Sequence, residues 1–157
     1  MIATEEDIKI ISNLRRNARA SLVKISESTN IPQSTIYDKL KTYERDVIKK
    51  HTCLIDFKKL GFNIEVRIAV KAKKESKAKL LEYIKEQKNI NSAFHINSGY
   101  DFFLECIFQN YSEMFQFISK IEQEYGVEKI DVYHILHDIK REQFLTEYEW
   151  YNREIIW

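Results

Sequence analysis

Proline occurs once and glycine three times in 157 residues, so there is little material for long irregular loops. The only two cysteines, Cys53 and Cys106, stand alone without metal-ligand spacing. That excludes a disulfide scaffold, fits a reducing cytoplasm, and reads as two small buried apolar side chains. No apolar run approaches the ~18 residues that a membrane span requires. No basic start leads into an apolar stretch, so neither an export leader nor a membrane partner is expected. Glycine-rich phosphate loops, a Gly-x-Ser-x-Gly elbow and a spaced Cys–His pair are all missing. No catalytic residue, metal or cofactor is therefore expected.

What is present is a globular composition, 44% hydrophobic and 13% aromatic, with a net charge of only +1. The charge is unevenly spread. Residues 1–60 hold 12 Lys/Arg against 8 Asp/Glu, and the remainder holds 13 against 16. A basic first part joined to an acidic second part points to nucleic acid at one end and a different task at the other.

The first 48 residues carry three short amphipathic patterns. Thr4 can cap a helix with Glu5, Glu6 and Asp7 in its first turn and Ile8, Ile11 and Leu14 along one face, ending near Asn17. Ser21 can cap a second, with Leu22 and Ile25 inward, stopping near Asn30 and Pro32. The third starts at Pro32 to Ser34 and turns Ile36, Leu40 and Tyr43 inward. Its outer side then holds Ser34, Tyr37, Asp38, Lys41, Thr42 and Arg45, a hydrogen-bonding and cationic face of the kind that reads a DNA groove. Three helices with tight joints are the helix-turn-helix arrangement.

From Val47 the pattern changes. Val47–Asp56 reads as a linking strand and Phe57–Gly61 as a connector. Glu65–Lys71 alternates and is rich in branched residues, hence a strand. A helix over Ser76–Gln87 turns Leu80, Leu81 and Ile84 inward; a strand over Ile90–Asn97 follows. Ser98-Gly99-Tyr100 reverses the chain into a strand over Asp101–Gln109. Ser112–Tyr125 is a helix burying Met114, Phe115, Phe117, Ile118 and Ile121, and Val127–Ile139 is the last strand. The order β-α-β-β-α-β predicts a ferredoxin-like domain. Glu142–Trp157 is aromatic and acidic; Phe144, Leu145, Tyr148 and Tyr151 would share a face of a helix docked on its own domain or a partner. The expected class is α+β: a helix-turn-helix at 1–48, a linker at 49–61, a ferredoxin-like domain at 62–141 and an extension at 142–157.

The ordered set of Asp7-Ile8, Leu14, Asn17-Ala18-Arg19, Ile31 through Leu40, Asp56, Leu60-Gly61 and Gly99-Tyr100-Asp101 resembles the Lrp/AsnC (feast/famine) transcriptional regulators over roughly residues 5–141. The resemblance implies a winged or hinged helix-turn-helix that binds double-stranded DNA as a homodimer on near-palindromic sites. It also implies sheet-to-sheet pairing of the second (RAM) domain, assembly of dimers into larger rings, and a small amino acid bound between dimers near the glycine–aspartate loop. Three positions depart from the pattern. Pro32 replaces a small hydroxyl cap, passing capping to Ser34. The turn Glu44-Arg45-Asp46-Val47-Ile48 is one residue short and lacks its glycine. Val132 replaces a hydroxyl that helps to hold a ligand carboxylate.

Candidate DNA contacts are Arg19, Gln33, Ser34, Thr35, Tyr37, Lys39, Lys41 and Arg45, with Lys24 and Arg15 or Arg16 available for phosphate; the plain alternative is a solvated helix face. Ser98, Gly99, Tyr100 and Asp101 are either a simple reversal or an effector pocket in which Asp101 meets an α-ammonium. His134 and His137, three apart on one strand, would point to opposite faces, and the family's strand order separates both from His95, which speaks against chelation. Siroheme decarboxylases resemble the same architecture, which would require His95 or His134 to face a large cavity. The acidic second domain is a poor match for a polycarboxylate ligand. A scaffold that has lost DNA affinity is the third reading, separated from the first by salt-dependent binding.

Overall fold

The computed structural model describes residues 3–148, and the chain divides into two compact units. The first runs through Leu54 and takes back the chain from Ile139; the second is Ile55–Asp138.

In the first unit α1 spans Glu5–Arg16, α2 Leu22–Thr29 and α3 Gln33–Asp46. Each start has a local cause. The Thr4 side chain accepts from the Asp7 N–H while Asp7 accepts from the Thr4 N–H, a reciprocal capping box. Ser21 accepts from the Lys24 N–H. Asn30 ends α2 in the left-handed conformation, φ 59°, with its N–H on the Ser26 carbonyl. The turn is then closed by the Ser26 hydroxyl donating to the Ile31 carbonyl at 2.7 Å. Pro32 stands at the cap position of α3 and no side chain caps the helix, so the expected transfer of capping to Ser34 does not occur. Proline's fixed φ replaces the hydroxyl in setting the first turn. Ile10, Ile25, Ile31, Ile36 and Tyr43 form the core of the unit, with Ile11, Leu14, Leu22 and Leu40 packed around them. Ile10, absent from the expected inward face of α1, lies at its centre.

In the second unit β1 (Ile64–Ala72), α4 (Lys77–Glu86), β2 (Ile90–His95), β3 (Phe102–Phe108), α5 (Tyr111–Glu124) and β4 (Val127–His134) form the ferredoxin-like arrangement. The antiparallel sheet has the order β2-β3-β1-β4. Alternation assigns the faces: Val66, Ile68, Val70 and Ala72 of β1 and Phe102, Leu104, Cys106 and Phe108 of β3 are buried with Leu80, Tyr83, Ile84, Met114, Phe117 and Ile121 of the two helices. Burial pushes the Cys106 thiol up to about 12, which keeps it neutral.

Several sequence expectations are corrected. Residues 48–56 form no strand, because no segment among the described residues pairs with them. β4 stops at His134, so His137 lies beyond the sheet and the opposite-faces argument does not reach it. Leu81 and Phe115 are exposed, whereas Tyr83 takes the inward place, stacked on Phe117 and tilted against Tyr125. Cys53 is exposed. Residues 142–147 are not helical: Glu142 and Leu145 have φ of 51° and 58°. Their neighbouring carbonyls are satisfied instead by arginines of α1. Tyr151 and the tryptophans Trp150 and Trp157 lie outside the described residues.

Gly126 connects α5 to β4 at φ 56°, and a Cβ added there would sit 2.4 Å from the Ser76 hydroxyl. Gly126→Ala therefore combines left-handed strain with a clash and should destabilise the second unit by about 2–3 kcal/mol in urea unfolding. Adding Ser76→Ala should recover only the part due to the clash.

Candidate nucleic-acid interface and effector site

The recognition candidate is the solvent side of α3. Gln33, Ser34, Tyr37, Asp38, Lys41 and Arg45 are exposed, and Thr35 and Thr42 are half-buried. The Lys41 ammonium lies 4.2 Å from the centre of the Tyr37 ring, a cation–π pair that places a cation over an exposed aromatic face. Arg45 forks onto Asp46, with two hydrogen bonds of 2.8 Å. The Lys39 ammonium is 2.6 Å from Asp7 Oδ1 and 3.7 Å from Glu6 Oε2, so its charge is already engaged between helices.

Asp7 was legible as a capping residue, but its second role was not. Its side chain is buried, and beyond the Thr4 cap it accepts from Lys39 and from the Tyr43 hydroxyl of α3. Burial alone would raise its pKa, but hydrogen bonds from Lys39, Tyr43 and Thr4 outweigh it and hold the carboxyl well below the usual range. Burial and the adjacent carboxylate push the Tyr43 phenol up. Two successive turns of α3 are thus tied to the start of α1, which fixes the azimuth at which the exposed face points outward.

Arg19 and Lys24 are exposed at the joint between α1 and α2. Arg15 and Arg16 also end α1, but they donate to carbonyls of residues 142–146.

In the second unit the hairpin 96–101 joins β2 to β3. Ser98 and Gly99 are exposed, and a Cβ at Gly99 would meet nothing within 4 Å. Tyr100 donates its hydroxyl proton to Asp131, and Lys129 donates to the same hydroxyl while lying 3.0 Å from Asp131. The hydrogen bond from Tyr100, followed by that from Lys129, lowers the Asp131 pKa. Lys129 and Asp131 were not among the expected site residues; their alternate positions on a strand facing the hairpin were the only available signal.

Asp101 is engaged within the fold. It is 6% exposed and accepts from the Ala72 N–H at 3.0 Å and from Lys77 at 2.6 Å, with Lys71 nearby. Burial opposes its charge, but Lys77 and the Ala72 N–H reverse that and lower its pKa. A carboxylate so saturated joins β1, α4 and β3 and is not open to an incoming ammonium. His95 lies against Phe102 and His134 beside Tyr111. A cleft of about 460 Å³, lined by Phe62, Asn89, Phe108, Gln109, Glu113, Gln116, Phe117 and Lys120, includes neither histidine. No group of three metal-ligating side chains occurs among the described residues, and no helix among them is long and apolar enough to cross a membrane.

Two family models match the chain: the Lrp/AsnC ligand-binding domain over residues 64–145 and a winged helix-turn-helix DNA-binding domain over 5–46. The chain belongs to the Lrp/AsnC family of DNA-binding transcriptional regulators. It is similar to the HTH-type transcriptional regulator FL11 of Pyrococcus horikoshii, 31% identical over 79% of this chain and 83% of the relative. It also resembles the glutamate uptake regulatory protein of Zymomonas mobilis, 22% identical over 88% and 87%. Among solved structures, B. subtilis LrpC superposes with a TM-score of 0.81 at 20% identity, covering 89% of this chain and 99% of LrpC. A Neisseria meningitidis transcriptional regulator solved as its L-Met complex gives 0.81 at 19% identity, covering 90% and 94%.

The Asp7 network makes a pH-dependent prediction for this Lrp/AsnC regulator. A carboxyl held below its unfolded value of 3.8 contributes stability above that pH and loses it progressively on acidification. Asp7→Ala should cost about 2–4 kcal/mol in urea unfolding at pH 7, because Lys39 and Tyr43 lose their shared acceptor. The difference from wild type should narrow as the pH falls below 3.8.

Proposed function

We propose that this regulator reads operator DNA through the exposed face of α3, as a homodimer on near-palindromic sites, and that a small effector at the hairpin tunes its assembly. The observation carrying this is the exposed polar face of Ser34, Tyr37 and Lys41 on a helix whose opposite side is fixed by Tyr43 and Ile36. Ser34, Thr35 and Tyr37, with Gln33, lie at the start of the helix, where side chains reach base edges. Lys41, Arg45 and Arg19 supply phosphate contacts, and Lys39 acts chiefly through Asp7. The reading domain is residues 1–48, joined through 49–61 to a dimerisation and effector domain at 62–141.

For the effector, the neighbour bound to L-methionine supports a small amino acid as the chemical class. The open backbone at Gly99 and the exposed Ser98 hydroxyl offer its contacts, with Tyr100 alongside; Asp101 shapes the hairpin from beneath.

Binding to DNA from upstream of the protein's own gene, measured in rising salt against random competitor, tests this reading. Tight binding that beats competitor and weakens steeply with salt is the expected result, and binding with neither property overturns it. Lys41→Ala should weaken specific and random DNA alike and lower the salt slope by about 1, whereas Tyr37→Ala should cost about 1–3 kcal/mol on the specific site only.

A further inference from the structure

From Ile8 to Ser26 the sequence contains no acid and five cations: Lys9, Arg15, Arg16, Arg19 and Lys24. The last four bracket the joint between α1 and α2, at the start of the helix that precedes α3; in a helix-turn-helix that preceding helix crosses the phosphate backbone. Two of these four are not open. Arg15 donates from Nε to the Phe144 carbonyl at 3.1 Å and from its terminal nitrogen to the Glu142 carbonyl at 3.0 Å, and it pairs with the Glu142 carboxylate at 2.9 Å. Arg16 donates to the Thr146 carbonyl at 3.0 Å. Lys9 lies 5.4 Å from the centre of the Tyr148 ring. Residues 142–148 thus form a strap across the cationic end of α1, occupying guanidinium donors that match phosphate geometry.

The way the strap is held favours exchange. Phe144, its largest apolar side chain, is 78% exposed, so little apolar burial anchors it. Glu142 and Leu145, neither of them glycine, have φ of 51° and 58°, a conformation that persists only while neighbouring contacts impose it. The Arg15–Glu142 pair is solvent-exposed, the weak and salt-sensitive kind.

We propose that residues 142–148 are an autoinhibitory strap that withholds Arg15 and Arg16 from the DNA backbone, and that DNA phosphates and the strap compete for the same two guanidinium groups. The proposal rests on the DNA-binding reading above. When DNA is bound the strap is displaced; when the strap is docked, two phosphate contacts are missing. Anything that captures residues 142–148 raises DNA affinity without touching α3.

The test is anisotropy of a labelled random duplex between 50 and 200 mM salt, where only phosphate contacts count. Five proteins are compared: the full chain, a chain ending at Arg141, full-length Arg15→Lys, and Arg15→Ala/Arg16→Ala with and without the truncation. Truncation should tighten binding at 50 mM and make the loss across this range about twelvefold larger, the effect of two added phosphate contacts. In the double-alanine background truncation should change nothing. Arg15→Lys keeps a cation but not the fork that grips two carbonyls, so it should make the loss about three- to fourfold larger in a full-length chain. That variant decides the matter if the truncated chain fails to fold by circular dichroism. An unchanged or weaker slope in the folded truncation and in Arg15→Lys overturns the strap while leaving the full chain's own salt-dependent binding in place. Absence of salt-dependent binding in every protein overturns the DNA-binding reading along with it.

Discussion

A carboxylate taken out of water must have its lone pairs filled, and both units are organised around one that is. In the first, Asp7 sits at 6% exposure with Thr4, Lys39 and Tyr43 on its two oxygens. In the second, Asp101 sits at 6% with the Ala72 N–H and Lys77. Each aspartate lies near the start of an element and satisfies a backbone N–H, Asp7 that of its own cap residue Thr4 and Asp101 that of Ala72 at the end of β1. Each also draws in a lysine from an element distant in sequence. An incompletely paired buried carboxylate would be strongly destabilising, so the geometry of these contacts tolerates little drift. The aspartates therefore act as positional locks: one fixes how α3 is rotated against α1, the other where the hairpin rises from the sheet.

The rotation of α3 decides which of its side chains face solvent, and so which face is available for the proposed reading of DNA. A helix of this amphipathic pattern could roll by tens of degrees and still bury Ile36 and Leu40. Tyr43, 1% exposed and bonded to Asp7, removes that freedom one turn from the end of the helix. Engaging Lys39 has a further consequence: a cation that charge counting assigns to DNA serves cohesion between helices. Among the cations of the first unit, Lys41, Arg19 and Lys24 are exposed, Arg45 is exposed but forked onto Asp46, and Arg15 and Arg16 donate to carbonyls of residues 142–146.

Local signals were reliable where one short-range rule governs. The Thr4 and Ser21 caps, the stop at Asn30 and the alternation of β1 and β3 all followed from hydrogen bonding or side-chain period within a few residues. Errors fell where the outcome depends on a distant partner. Val47–Asp56 has strand composition, but a strand exists only when another segment completes its hydrogen bonds. Phe144 and Tyr148 share a helical spacing, yet Arg15 and Arg16 take the carbonyls that a helix would use internally. Phe115 is expected inward with its apolar neighbours, but the inner face of α5 is filled by Met114, Phe117 and Ile121.

The sequence by itself determined the helix-turn-helix, the β-α-β-β-α-β order and the family, because periodicity, capping residues and an ordered motif set are properties of neighbouring residues. Only the tertiary structure decided which charged groups remain open. Asp7, Lys39, Asp101, Arg15 and Arg16 are ordinary surface charges as letters. Each is committed by a partner between 24 and 130 positions away in the chain. Whether a charge faces solvent or a buried counter-charge is settled by packing across that distance, and no local pattern encodes it.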